Sequence, residues 1–539
     1  MKLSTRSKEY IIPEYSLTGD LLSFLTCNLQ YRYQNKGNLP PSMPIQLWFG
    51  EFIHGVMEEA YIQWNNFSEE EKMNFPWNWE EKIKPIEDII TKRLKVKGLN
   101  PPNDYIYNYG PKENMYSARV DRSINIWGPH LFPLIEDAEV LIKGIRDMPI
   151  DKEGNARSEY YSINGVIDVL SSLKLDEISS IIDDANNNFL DADSSQDKNS
   201  EEILHYSKSK EILKYSKTKE MGGYKESREI VKYSESKSIK FEKPERAKKT
   251  FQQTLDSFLL ISSDDIKNAK NESEYSDSKN GTDNNSIKYD TSDLSNKNRN
   301  INKILEYLAN DEEFNNILKN FEEDEYEIII DYKGMRRPSA PNKKDLNKTN
   351  IHLLNEDSNN ESSLEDYKTW IQHEWQILTY AWLRSMQEDA KPVICGIIFY
   401  LNELVPSTGD LVSIREDIKN NKTDIPMDSI SKEDWELLDN WDEDGPIAIH
   451  DDLSNKFKMD RSIRIINIKD ELIDDSLQEF DEVVNQIESS MIQELNGSKI
   501  KEAWKADAEE RTCTACDFRT FCNKKDLKED KNSSVFTVP

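Results

Sequence analysis

Two short strings constrain this chain more than anything else in it: Gly165-Val166-Ile167-Asp168 closes one apolar run, and Ile328-Ile329-Ile330-Asp331-Tyr332-Lys333 closes another. Both read as buried strands that end on charge. Side chains alternate faces along a strand, so Asp331 and Lys333 project to the same side, and Asp168 from a neighbouring strand could join them. Two carboxylates can hold a hard cation such as Mg²⁺ or Mn²⁺, and an adjacent lysine can position water and offset developing phosphate charge. The trio therefore suits divalent-metal phosphodiester hydrolysis, although either string alone is more often an ordinary charged strand end.

The rest of the chain sets the frame. Its 539 residues leave room for two or three domains, or one elaborated domain with insertions. Only 36% of residues are hydrophobic and 32% are charged, so a substantial part is expected to stay outside any core. A formal net charge of −31 argues against general nucleic-acid affinity, since phosphate contacts need clustered Lys and Arg, but it leaves room for a local basic groove. Met1 to Tyr15 is polar, without the apolar core of a signal peptide, and no run is long enough to cross a bilayer. The expected location is cytoplasmic, nucleoid-associated if the source is prokaryotic. Five cysteines are too few for a secreted disulfide scaffold, and their clustering points to metal ligation.

Along the chain, the segment through about Tyr61 reads as two helices. Thr18 is a candidate N-cap for the first, and Trp48, Phe52, Val56, Met57 and Ala60 form the apolar stripe of the second. Strands are expected at Ala138 to Ile145 and at Tyr160 to Val169. Between about Asp176 and Asn300, Ser, Asn, Asp, Lys and Glu dominate. A degenerate unit recurs there at Tyr206, Tyr215, Tyr233 and Tyr275, each followed by Ser and short polar residues, without a fixed period. This composition predicts a mostly disordered insertion, because it buries too little apolar surface to offset ordering entropy. A helix from Ile301 to Phe321 should follow, then strand Tyr326 to Tyr332, helix Asp366 to Met386 and a buried strand Val393 to Leu401 with Cys395 in the core. Later strands are expected at Leu411 to Ile414 and Ile463 to Ile468, with a helix from Leu477 to Leu495.

Three cysteines stand as C-x₂-C-x₅-C at Cys513, Cys516 and Cys522, one ligand short of a four-coordinate site. Cys27, near the other end of the chain, is the reasonable fourth, since Cys395 lies in an apolar strand. Four thiolates can bind Zn²⁺ or an iron–sulfur cluster, and the one-plus-three arrangement favours the cluster over paired zinc knuckles. Such a site would pin the two ends of the chain together. His54 sits one turn before Glu58 on a largely apolar helix, where a lone histidine is more often packed than a ligand. Gln376 and Tyr380 lie one turn apart on another helix, which means little in isolation.

Taken in order, however, Cys27 with Gln30-Tyr31-Arg32-Tyr33, Gly50-x-x-x-His54, Gly165-Val166-Ile167-Asp168, Asp331-Tyr332-Lys333, Gln376-x-x-x-Tyr380 and the C-terminal cysteine run closely resemble the RecB-like branch of the PD-(D/E)XK nucleases. Within it, the pattern is similar to the members with an iron–sulfur staple: CRISPR-associated cluster nucleases, the AddB nuclease domain and exonuclease five. The resemblance covers most of the chain outside the low-complexity segments. Ile167 stands where the family name has proline, and Asp331 where glutamate is commoner.

The resemblance implies that His54, Asp168 and Asp331, with the Tyr332 carbonyl, would ligate Mg²⁺ or Mn²⁺. Lys333 would act on the water or phosphate, Gln376 and Tyr380 would sit beside the site, and Cys27, Cys513, Cys516 and Cys522 would hold a 4Fe–4S cluster, with Zn²⁺ the lesser occupant. The fold so implied is α/β and restriction-endonuclease-like: a mixed central sheet flanked by helices, with N- and C-terminal helical segments stapled together. The expected divisions are 1–175 and 301–524 as halves of one core, 176–300 as the insertion and 525–539 as a tail. The expected activity is cleavage of DNA, exonucleolytic or flap-like on single strands, in repair, recombination or defence. Arg32, Lys333, Arg336 and Arg337 are candidates for a local basic funnel. No G-x-x-x-x-G-K-[ST] loop occurs, so any unwinding would fall to a separate helicase. The competing readings are a non-catalytic DNA-binding or scaffolding subunit and a zinc-stapled interaction protein.

Overall fold

The computed structural model describes residues 12–37, 45–101, 115–149, 158–174, 302–319, 324–341, 361–442 and 449–506, together with Ala508, Cys513, Cys516, Phe518, Arg519 and Cys522. All of them belong to one compact unit, Met1–Ser195 with Asn300–Pro539. The other unit, Gln196–Arg299, falls outside the described residues, and with it the expectation for the insertion at 176–300.

Six strands form one mixed sheet: β1 (Glu14–Ser16), β2 (Asp137–Asp147), β3 (Tyr160–Lys174), β4 (Glu325–Lys333), β5 (Val393–Tyr400) and β6 (Ile463–Asn467). The order is β1-β3-β4-β5-β6, with β2 paired to β3 as well. β1 with β3 and β4 with β5 run parallel, and the other pairs are antiparallel. Despite some 150 residues of intervening chain, β3 and β4 pair directly, from Lys174↔Glu325 to Val169↔Ile330. A mixed α/β sheet covered by helices is thus what the apolar strings build.

The Ile328-Ile329-Ile330 run is continuous because β4 is covered on both faces. Ile328 and Ile330 join a core that includes Val56 and Met57 of helix α1 (Ile45–Asn65) and Ile86 and Ile90 of helix α2 (Lys84–Val96). Ile329 joins a second core beneath helices α3 (Glu361–Ser385) and α4 (Asp470–Leu495), containing Ile377, Leu383 and Phe480. β4 is further tied to α3 by a buried bidentate ion pair, Arg384 Nε and Nη2 each 2.8 Å from a carboxylate oxygen of Glu327. That pair sets the helix carrying Gln376 and Tyr380 against the strand carrying Asp331.

Three expectations change. Leu411 to Ile414 is not a strand but part of the helix Thr408–Lys419, started by a capping box between Ser407 and Asp410. Leu411, Ile414 and Ile418 recur at helical spacing and bury their side chains in a small separate cluster. The helix expected from Ile301 to Phe321 is two, Lys303–Asn310 and Glu312–Lys319, broken at Asp311, whose carboxylate accepts the Phe314 N–H at 2.7 Å. The first N-terminal helix is instead a chain of short segments, Leu17–Leu22, Ser23–Thr26, Asn28–Tyr31 and Arg32–Lys36, with Cys27 extended at φ −167° between the second and third. Ser16 rather than Thr18 stands at the first cap position, its N–H donating to Asp20 at 2.9 Å.

Candidate functional site

Asp168 sits where β3 changes neighbours. The β3–β4 ladder ends at Val169↔Ile330, so the next pair in register is Asp168 opposite Asp331. No backbone pairing forms there. Instead Asp168 Oδ2 accepts the Tyr332 N–H at 2.9 Å, closing the end of the ladder with a side chain. The same oxygen lies 2.9 Å from His54 Nε2, delivered by α1 from above the sheet. The other ring nitrogen, Nδ1, is 2.7 Å from the carbonyl of Gly50, one turn back on the helix, and donates to it. Only the Gly50 carbonyl takes part, since a Cβ at Gly50 would meet nothing within 4 Å.

Beside Asp168, at the end of the same strand pair, Asp331 and Lys333 stand side by side on one face of β4, as alternation requires. Lys333 Nζ is 2.7 Å from Asp331 Oδ2 and donates to Gln376 Oε1, also at 2.7 Å. Gln376 Nε2 in turn reaches Asp331 Oδ1 and the Tyr380 hydroxyl, each at 3.1 Å. Gly165 lets this row close, because a Cβ there would lie 2.6 Å from the Tyr380 ring. The six residues His54, Asp168, Asp331, Lys333, Gln376 and Tyr380, spread over more than 300 positions, thus form one group of two hydrogen-bonded sets, His54–Asp168 and Asp331–Lys333–Gln376–Tyr380, side by side at the end of the β3–β4 ladder. Tyr332 supplies its backbone to the same group.

Charge is distributed unevenly within it. Burial opposes ionisation of Asp168, but the His54 charge, hydrogen bonds from His54 and Tyr332, and Lys333 together hold its carboxyl below the ordinary range. Asp331 is driven the other way, raised by burial and by the charge of Asp168 despite Lys333. For His54 burial would lower the pKa, but Asp168 and the Gly50 carbonyl raise it to about 10, so the imidazole is charged in this arrangement. Among the described residues, no three His, Cys, Asp or Glu side chains are gathered closely enough to hold a metal ion as they stand.

One participant is not visible in the sequence patterns. Glu139 of β2 lies between the paired positions Ala138↔Val169 and Val140↔Ile167, hence opposite Asp168. It lines the same small cavity as His54, Glu58, Asp168 and Tyr332. Burial, then Asp168 and Glu58, raise its pKa to about 7. Only the register could have found it. The basic funnel fares differently: Arg32 is paired with Glu494 and Arg336 with Asp417 at 2.8 Å, while Arg337 is buried against Asp424 and the carbonyls of Asp460, Arg461 and Ile463. These arginines hold the fold together.

Four of the cysteines come together from opposite ends of the chain. Cys27, Cys513, Cys516 and Cys522 line one cavity with Tyr33 and Phe518, and none of the five cysteines is in a disulfide. Cys395 is fully buried in β5, as its apolar strand implies. Around the cavity, Leu29 N–H donates to the Lys505 carbonyl at 3.0 Å, Arg32 Nε and Trp504 Nε1 share Glu494 Oε2 at 2.6 and 2.8 Å, and the Tyr33 and Phe518 rings stand 5.5 Å apart.

No helix among the described residues is long and apolar enough to cross a membrane. In comparisons with known proteins, no family model, curated protein or solved structure matches this chain.

Proposed function

We propose that this protein is a divalent-metal-dependent deoxyribonuclease of the RecB-like PD-(D/E)XK kind. The observation that carries the reading is the convergence of an imidazole, two carboxylates and an ammonium from α1, β3 and β4 on the end of one strand pair.

The residues fit a hard cation in two respects. His54 already has its Nδ1 satisfied by a backbone carbonyl, which aims Nε2 at Asp168, the usual outer-shell arrangement of a ligating histidine. Asp331 Oδ2 is cut off from solvent, and its close partner among the described residues is the Lys333 ammonium at 2.7 Å, a cationic contact that a bound metal ion could share. His54, Asp168 and Asp331, with the Tyr332 carbonyl, would hold Mg²⁺ or Mn²⁺, and His54 would give up the proton it now shares with Asp168. A bound cation of this type supplies charge stabilisation at a phosphoryl oxygen and a more acidic water. Lys333, fixed between Asp331 and Gln376, keeps its ammonium at the mouth of the site, where it can orient a water or neutralise a phosphate oxygen. Gln376 and Tyr380 act as its positioning residues.

The four thiols around one cavity, free of disulfides, suit a 4Fe–4S cluster acting as a clasp between the chain ends, with Zn²⁺ the alternative occupant. DNA, cut as single strands, is the proposed substrate, and unwinding is left to a separate helicase. A second reading, a non-catalytic DNA-binding subunit, draws on the closed His54–Asp168 contact, which a chain without metal could keep for stability.

The deciding experiment incubates anaerobically purified protein with Mn²⁺ and end-labelled single- and double-stranded DNA, beside Asp168→Ala and Lys333→Ala. Cleavage by the wild type alone is expected. Equal cleavage by all three places the activity elsewhere, and none by any of them favours the scaffold. Brown colour with broad visible absorption distinguishes the cluster from zinc.

A further inference from the structure

Glu139 occupies a position in β2 that a strand does not offer for nothing. Its backbone is left-handed, with φ +52°, and only Asn421 shares that trait among the described non-glycine residues. The register on either side is unbroken, Ala138↔Val169 and Val140↔Ile167, so the twist belongs to Glu139 alone. At the same row β3 exchanges faces. Ile167 packs into the core beneath α3, whereas Val169, two residues on, packs into the core beneath α1. The pair Glu139 and Asp168 marks the crossover, and the Glu139 side chain borders the cavity shared by His54, Asp168 and Tyr332. Of the other groups of the site, His54 is paired with Asp168, and Lys333 with Asp331 and Gln376. Glu139, like Glu58 of the same cavity, has no hydrogen bond or ion pair among the described residues, and it alone of the two stands in the row of Asp168.

Resting on the cation-site reading above, we propose that Glu139 is a further carboxylate of that site, contributing an oxygen to the bound Mg²⁺ or Mn²⁺ or to its water from the side opposite Asp331. Three consequences follow from the geometry. The cross-strand row Glu139, Asp168, Asp331 would then present carboxylates from three adjacent strands, each held by a different device: a left-handed residue, a ladder-ending side-chain bond and an ion pair with lysine. The His54 imidazole closes the group from α1. Loss of Glu139 should weaken the cation without breaking the Lys333–Gln376–Tyr380 row, none of whose members lines the cavity that Glu139 borders.

The test reads the metal itself. Mn²⁺ is titrated into full-length, anaerobically purified, EDTA-stripped protein, with the free ion followed by electron paramagnetic resonance. Wild type is compared with Glu139→Gln, Glu139→Gly, Glu58→Gln and Asp168→Ala. Glu139→Gln and Glu139→Gly should each weaken Mn²⁺ binding by about 10–100-fold, the range for groups that support a metal's ligands. Glycine accepts φ +52° without strain, so the metal-free Glu139→Gly protein should unfold at or above the wild-type temperature, which separates loss of the carboxylate from damage to the strand. Glu58→Gln, which removes a charge from the same cavity, should have a clearly smaller effect. Wild-type affinity in both Glu139 variants while Asp168→Ala abolishes binding overturns the assignment of Glu139 and leaves the site reading intact. An effect of Glu58→Gln as large as that of Glu139→Gln also overturns it, because the field of any nearby carboxylate would then suffice. No saturable Mn²⁺ binding by the wild type overturns the cation site, and Glu139 with it.

Discussion

The strand-end site and the cysteine corner are built in opposite ways. The first takes side chains from the middles of regular elements: His54 from a 21-residue helix, Asp168 and Asp331 from paired strands, Gln376 and Tyr380 from a 25-residue helix. Each group is already held by another, so the row keeps its geometry without a ligand. The second takes thiols from the two ends of the chain, Cys27 from extended backbone, and among the described residues the segments around its cavity are joined by the Leu29–Lys505 backbone bond, a shared glutamate and a few aromatic contacts. A site made by the sheet inherits the stability of the sheet. A site made by chain ends has to receive its stability from whatever binds there.

That contrast can be broken at several points. The largest effect is expected at the strand-end site: Asp168→Ala should lower Mn²⁺-dependent DNA cleavage about a thousandfold or more, the several kcal/mol that metal-centred charge stabilisation is worth, while unfolding remains cooperative. If Cys516→Ser abolishes cleavage equally in a protein that is still folded, the corner is not merely a clasp. Next, Cys513→Ser/Cys516→Ser should lose the visible absorption and about 4 kcal/mol of stability, as for a ligand present at a thousandfold its dissociation constant. An unchanged melting curve would remove the corner's dependence on a bound group.

The site's independence from a ligand has a pH signature of its own. His54 titrates at about 10 in the metal-free fold, against roughly 6.5 for an unfolded histidine. Its stabilisation is therefore complete below pH 6.5 and lost as the pH rises through 10. The ring is 31% exposed, so the full shift is discounted for screening. The stability advantage of wild type over His54→Ala should shrink by about 2–3 kcal/mol between pH 6 and 10, measured by denaturant titration in EDTA. An advantage constant over that window would mean that the imidazole is not paired as described. The smallest effect concerns packing. Gly165→Ala places a Cβ 2.6 Å from the Tyr380 ring, which should cost about 1–3 kcal/mol and lower the cleavage rate by moving Tyr380 away from Gln376. Unaltered stability would show that the ring can swing aside.

Much of this was legible beforehand because its signals are local. The Ile328 to Ile330 run marks a strand covered on both faces, the stripe from Trp48 to Ala60 marks one helix, and the D-x-K spacing alone puts Asp331 and Lys333 on one side. Where local signals conflicted, the reading failed. Leu411 to Ile414 looks like a short strand until the Ser407–Asp410 capping box is counted, and Asp311 splits a helix by bonding its own backbone. Arg32, Arg336 and Arg337 look available for phosphate in a list of charges, yet tertiary contacts consume all three.

Sequence by itself determined which elements form and which side chains face together within each, because periodicity and alternation act over a few residues. It could not determine that β3 and β4 pair directly across a long intervening segment, that the ladder stops one residue short of Asp168 so that a carboxylate takes the Tyr332 N–H, or that Glu139 stands opposite. Those depend on register between distant strands, set by the burial of two cores at once, and that choice exists only in the assembled sheet.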